Sequence, residues 1–198
     1  MDANYGGNAL SFLINTVVDI YVTVIAVRFL MQMVQADYYS PVAQFVVKVS
    51  NPLLMPLRRI VPGFGGQDIA ALLLCWLLLL AKLALLSSMA LAINVAGYHL
   101  ITQETSLLSL MILAAVDLLG LFFSIFFFSL IVQALLSWIN PDNYNPVTQL
   151  LYQINAPLLR PVQRLIPPIS GIDLSLIALL LGLQLLKMLL IPPLLSLA

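Results

Sequence analysis

Four long apolar runs, separated by shorter polar segments, dominate the pattern of the chain. They extend over residues 10–34, 69–96, 107–138 and 174–197, and the last contains Pro192 and Pro193, which we expect to break its helix. About 20 apolar residues in a helix cross a hydrocarbon core of roughly 30 Å, so each run is long enough to span a membrane. The pattern therefore predicts an all-α membrane protein with four transmembrane helices.

The composition supports a membrane protein and narrows the classes of function. Of the 198 residues, 62% are hydrophobic and 8% are charged, whereas an average soluble domain has about 25% charged residues. Because the charges balance to zero, the chain offers no basic surface for nucleic acid. Cys75 is the single cysteine, which excludes an intrachain disulfide and a cysteine cluster for metal.

The positive charges indicate how the chain is oriented. Lys and Arg that flank a span are retained on the cytoplasmic side, and in this chain they lie between the first and second runs and between the third and fourth. The two ends and the middle loop, which contains His99 and Glu104, have none. We therefore expect both termini on the outer side. The two segments that we expect on the cytoplasmic side carry Lys48, Arg58, Arg59, Arg160 and Arg164.

The chain is an internal duplication. Shifting it by 105 residues aligns residues 39–68 with 144–173 without a gap, and twelve of the thirty positions are identical. Each copy holds two spans, so the second enters the membrane in the same sense as the first, and the repeats are parallel. We divide the chain into a first repeat over 1–96, an external loop over 97–106 and a second repeat over 107–198.

A proline-rich amphipathic segment connects the two spans of each repeat. Ser40 and Asn145 each precede a proline, a combination typical of a helix start. Proline disfavours helical geometry in the residue before it, so we expect a short helix that is then broken. Aspartates at the end of each segment are expected to cap the next span. The repeated motif consists of Pro52, Pro56, Pro62, Asp68, Pro157, Pro161, Pro167 and Asp173.

This motif, in which Pro-Leu-Leu-x-Pro-x-x-Arg-x-x-Pro is followed by Gly-x-Asp in both copies, resembles the YggT family, whose plastid and cyanobacterial relatives are called YlmG-like. The resemblance covers nearly the whole chain, and the second copy departs from the first in having Gln163 where the first has Arg58. It implies a bacterial inner-membrane protein of unsettled biochemistry, linked with osmotic or envelope stress, with relatives linked to cell or organelle division and cytochrome assembly.

Four charged residues lie inside the apolar runs, where charge is costly and is usually paired. By helical rise, all of them could meet in the outer half of the membrane. They could form a proton or cation path, or ion pairs that fix helix packing, with the lysines snorkelling outward. We favour ion pairs, and we expect Arg28 near the inner end of its span to snorkel. The four are Asp19, Lys82, Asp117 and Lys187.

A second group of candidate residues consists of the arginines at the inner surface. They could bind anionic lipid headgroups, serve as a topology signal, or do both. This lipid-contact group comprises Arg58, Arg59, Arg160 and Arg164.

Two classes of function follow from these patterns. His99 is the single histidine and no nucleophile has a histidine beside it on a helix face, so we expect no enzyme, no metal and no cofactor. The first hypothesis is a scaffold or assembly factor that contacts lipids and partner proteins, with homo-oligomers included among the possible assemblies. The second is a small ion or proton transporter, or channel subunit, that uses the intramembrane charges.

Overall fold

The computed structural model describes residues 5–61, 63, 67–89, 93–100, 106–139, 145–166 and 174–197. This part of the chain contains six helices and one short antiparallel hairpin. The elements are α1 (Tyr5–Met33), α2 (Pro41–Ile60), α3 (Ile69–Ser88), β1 (Ile93–Val95), β2 (Tyr98–Leu100), α4 (Leu107–Ile139), α5 (Pro146–Leu165) and α6 (Leu174–Leu195).

Helices α1, α3, α4 and α6 are the four predicted spans, and the expected fold class is confirmed. The shortest, α3, has 20 residues, or about 30 Å of helix. Two details of the prediction were wrong. Helix α3 ends at Ser88 rather than near Ala96, because the chain beyond it forms the hairpin. Helix α6 continues to Leu195 through Pro192 and Pro193.

The segments that we expected the prolines to break are continuous helices. Pro52 and Pro56 lie inside the 20-residue α2, and Pro157 and Pro161 lie inside the 20-residue α5. Each proline removes one hydrogen bond and crowds the carbonyl four residues earlier. In each helix the two prolines are four residues apart, so they share one face, and that face is exposed. The lost hydrogen bonds and the crowding therefore lie on the unpacked side of each helix, while the buried side keeps its contacts.

The predicted helix starts are confirmed where they are described. The Ser40 side chain accepts a hydrogen bond from the Ala43 amide at 3.2 Å, and Asn145 accepts one from Val147 at 3.0 Å. Asp68 caps α3 by accepting from the Ala71 amide at 3.3 Å. Pro62, Pro167 and Asp173 lie outside the described residues.

The spans pack in the order α1, α3, α4, α6, while α2 and α5 each pack beside the spans of their own repeat and touch one another. The core lies chiefly in the first repeat, between α1 and α3, where Val22, Ile25 and Leu83 are fully buried. In the apolar stretch of α3, 44% of residues are buried, but in that of α6 only 11% are. The second repeat therefore leaves much of its last span uncovered.

The hairpin between α3 and α4 folds against the helices. Its two turn residues, Ala96 and Gly97, have φ angles of 53° and 91°, which is typical of the tight turn that joins two-residue hairpins. Val95 is fully buried. A Cβ atom on Gly120 would lie 2.4 Å from the Ala96 Cβ, so only glycine at this position of α4 allows the turn to come so close.

Candidate functional site

Lys82 is the centre of an ion cluster between three helices. Its Nζ donates to Asp19 Oδ1 of α1 at 2.7 Å and to Asp117 Oδ2 of α4 at 2.8 Å. The lysine side chain is fully buried. Three of the four intramembrane charges predicted as site residues are thus in direct contact, and we call Asp19, Lys82 and Asp117 the ion triad.

The hairpin closes over one side of the ion triad. The backbone N–H of Ala96 donates to Asp117 Oδ1 at 2.9 Å, so each oxygen of this carboxylate has one donor. Asp117 therefore contacts both α3, through Lys82, and the turn that connects α3 to α4. This bond could not be predicted from the residue pattern, because its donor is a backbone amide.

The ion triad has one more negative than positive charge. Asp19 is the less enclosed of the two acids, with 45% of its side chain exposed, against 12% for Asp117. Asn15 lies one turn away on the same face of α1, and its buried Oδ1 has no hydrogen-bond partner in the described part of the chain. This face of α1 therefore carries a buried polar atom that the described residues leave without a hydrogen bond.

Lys187 does not join the other three charges. No carboxylate of the described residues is within salt-bridge distance of it. The duplication explains why: at the 105-residue shift, Ser124 takes the place of Asp19. Lys187 instead lines a groove of about 200 Å³ between α4 and α6, together with Ser124, Gln184, Leu183 and three phenylalanines, Phe123, Phe127 and Phe128.

Arg28 does not snorkel, which corrects our expectation. It is 6% exposed, and its Nη1 donates to Ser50 Oγ at 2.6 Å, to Asn51 Oδ1 at 2.7 Å and to the Val47 carbonyl at 3.3 Å. These acceptors all lie on α2. Arg28 is buried because α2 packs on α1 and brings these polar groups within its reach.

A neutral counterpart of this contact, which the sequence analysis missed, joins α4 to α5. Asn155 Nδ2 donates to Gln133 Oε1 at 2.8 Å, and its Oδ1 accepts from Ser129 at 2.7 Å. Gln133 and Asn155 correspond to Arg28 and Ser50 at the 105-residue shift. Extending the repeat alignment into the spans would have identified them. Each repeat therefore ties its amphipathic helix to its first span with buried hydrogen bonds.

The four surface arginines differ in their surroundings. Arg58 forms a salt bridge with Asp68, the buried cap of α3, through its Nη2, and its Nη2 also donates to Gln32 at 3.5 Å. Arg59, Arg160 and Arg164 are exposed on α2 and α5. Among the described residues, no group of three or more metal-binding side chains comes together.

Taken together, these features define a multi-pass helical membrane protein of two parallel repeats, each with two spans and one amphipathic helix between them. The chain belongs to the CCB3/YggT family, whose model matches twice, over residues 7–89 and 112–194. The two matches are offset by the same 105 residues as the internal duplication.

The relatives of the chain cover most of its length. An uncharacterized protein of Pseudomonas aeruginosa is 40% identical over 183 residues, which is 92% of this chain and 88% of that protein. An uncharacterized protein of Vibrio alginolyticus is 34% identical, over 89% of this chain and 90% of its own. The uncharacterized protein YggT of Escherichia coli K12 is 35% identical, over 91% of this chain and 88% of that protein. No solved structure matches the chain.

Proposed function

We propose that this protein is a non-enzymatic scaffold or assembly factor of the bacterial inner membrane, with both termini outside and with α2 and α5 facing the cytoplasmic leaflet. The observation that carries the proposal is the contact between α2 and α5, the amphipathic helices of the two repeats. The two helices form one composite surface from both repeats, and we call the exposed side of this pair the platform.

The platform has the chemistry of a surface that binds lipid headgroups. Three arginines, Arg59, Arg160 and Arg164, are exposed on it without a salt-bridge partner among the described residues. Large apolar side chains such as Ile60 and Leu165 are exposed beside them, at 79% and 82%. Exposed basic and apolar side chains on one helix favour the interface of a membrane with anionic lipids.

The ion triad also favours a scaffold over a transporter. Lys82 is enclosed and engaged by two carboxylates, and such pairing fixes helix packing while offsetting the cost of buried charge. Asp117 is further held by the backbone of the hairpin. A transport site would instead need to release these partners in every cycle.

Lipid binding can be tested in nanodiscs that contain phosphatidylglycerol and phosphatidylcholine, with native mass spectrometry to count the anionic lipids that remain bound. Replacing Arg59, Arg160 and Arg164 with glutamine should reduce this retention. Each basic residue near an anionic surface contributes about 1 kcal/mol, so the triple variant should bind anionic lipid up to about 100-fold more weakly.

Arg58→Gln is the matched control, because Arg58 is held by Asp68 and the second repeat naturally has Gln163 at this position. This variant should retain nearly as much anionic lipid as the parent. Equal retention by the triple variant and the parent would refute the platform.

A deletion strain tested for ion uptake and for envelope assembly separates a scaffold from a transporter, since a scaffold predicts a defect in assembly alone.

A further inference from the structure

Two charges inside the membrane are incompletely matched in the single chain. With both carboxylates ionised, the ion triad has one excess negative charge, and Lys187 has no carboxylate beside it among the described residues. The excess charge and Lys187 lie on different helix pairs, because α1 packs on α3 whereas α6 packs on α4 and α5. Their opposite signs would cancel if they met.

Asp19 is the part of the ion triad that is open to a second partner. Lys82 contacts its Oδ1, and 45% of the side chain is exposed. The neighbouring apolar side chains Phe12 and Ile20 are also exposed, at 68% and 62%. This part of α1 therefore presents a carboxylate within an apolar surface, which is an expensive arrangement for a helix in contact with lipid alone.

Measured from the ends of α1 and α6 nearest the amphipathic helices, Asp19 and Lys187 lie at similar heights. Asp19 is fourteen residues from the inner end of α1 at Met33, and Lys187 is thirteen residues from the start of α6 at Leu174. At 1.5 Å per residue, these separations correspond to about 21 Å and about 20 Å. Two chains in the same orientation would thus present the two charges at one level of the membrane.

We propose that a second copy of this chain docks on the groove between α4 and α6, so that Asp19 of one copy pairs with Lys187 of the other. Burying the pair at the contact matches the charge that each chain leaves exposed, and it covers α6, the least buried span. If both pairs form, a two-fold axis relates the copies and the assembly closes as a dimer.

A lipid headgroup is a weaker candidate for the groove. Lys187 is eight residues from the end of α6 at Leu195, which places it about 12 Å below the end of the helix. Headgroup phosphates lie at the interface, whereas a carboxylate on a neighbouring span can lie at the depth of Lys187. A second copy has such a carboxylate, partly exposed, at Asp19.

Cysteine cross-linking tests the contact directly. Cys75, the single native cysteine, is buried and can be replaced with serine to give a background for labelling. Thr16 and Leu190 each lie three residues toward the outer side from Asp19 and Lys187, and therefore at matching depth. When differently tagged copies bearing Thr16→Cys and Leu190→Cys are co-expressed and oxidised with copper phenanthroline, we expect a disulfide-linked dimer.

Leu185→Cys is the matched control, because Leu185 is exposed but is two residues from Lys187 and so points to the opposite side of α6. It should not cross-link to Thr16→Cys. Equal cross-linking of Leu185→Cys and Leu190→Cys, or none of Leu190→Cys, overturns the proposed contact.

A charge series tests whether the ion pair causes the association. Lys187→Met should weaken dimerisation at least tenfold, measured by single-molecule photobleaching in bilayers, while Lys187→Arg should preserve it. Thermal stability of the Lys187→Met monomer in detergent should match that of the parent monomer, which separates lost docking from misfolding. Unchanged dimerisation of the Lys187→Met variant refutes the proposal. A parent chain that is monomeric and binds anionic lipid or another protein's acidic helix at Lys187 also refutes it.

Discussion

Replacing Lys82 with methionine should destabilise the protein more than any other single change in the ion triad. Methionine has a similar volume, so the change removes the charge with little change in packing. It leaves the carboxylates of Asp19 and Asp117 without their shared cation, and Asp117 keeps only the N–H of Ala96.

The size of the effect follows from the number of partners lost. Removing one member of a buried ion pair costs about 3–5 kcal/mol, and Lys82 is the only cation that both acids contact within the described residues. Asp19→Asn should cost about 1 kcal/mol, because Asp19 is partly exposed and Lys82 keeps Asp117. The double variant Lys82→Met with Asp19→Asn should recover little, since Asp117 stays unpaired. Neutralising all three residues should recover most of the stability.

Reversible unfolding in mixed detergent micelles measures these free energies, and Lys187→Met is the matched control. Lys187 is the equivalent lysine of the second repeat and has no acidic partner among the described residues, so its replacement should change the stability of the monomer by no more than about 0.5 kcal/mol. Equal losses for the two lysine variants would refute the pairing. So would a triple neutral variant as unstable as Lys82→Met alone. Ion flux in liposomes, measured on the stable triple variant, should be the same as for the parent if the triad is structural.

Three further predictions concern other parts of the molecule. Arg28→Met should lower the unfolding free energy by about 2–3 kcal/mol in the same assay, because it removes bonds from a charged donor to α2. Gly120→Val should displace the turn at Ala96, and a cysteine placed in the turn should then react faster with a water-soluble maleimide than it does in the parent background. A cysteine near either terminus should label from the outer side and one near Arg59 from the inner side; labelling with the opposite sidedness would reverse the proposed orientation.

The spans and caps could be predicted from sequence because they depend on local chemistry. A run of about 20 apolar residues is sufficient to predict a span, and a capping side chain before a helix acts over three residues, as at Asp68. The duplication was also readable, because identical prolines and aspartates recur at one fixed shift. These features needed no knowledge of which helices are neighbours.

The remaining features depend on neighbours that a sequence does not identify. Arg28 was expected to snorkel because it lies near the inner end of its span. Its acceptors lie 19 to 23 residues further along the chain, on a helix whose packing against α1 the sequence does not reveal. Proline at position 52 is compatible with a helix because packing of the opposite face compensates for its lost hydrogen bond. The unequal roles of Lys82 and Lys187 follow from the replacement of Asp19 by Ser124 in the second repeat, and this difference becomes informative only when the spans themselves are aligned.

The contact between Lys82 and Asp117 has a consequence for the order in which the chain enters the membrane. Synthesis proceeds from the N-terminus, so α3 leaves the ribosome before the helix that supplies half of its counter-charge. A lysine near the centre of an inserting helix costs about 2.5–3.5 kcal/mol, but ten of the twenty residues of α3 are leucine, each favourable by about 0.3–0.6 kcal/mol. Helix α3 can therefore insert while Lys82 is paired with Asp19 alone. When α4 inserts, Asp117 supplies the second carboxylate and stabilises the packing of α1 against α3.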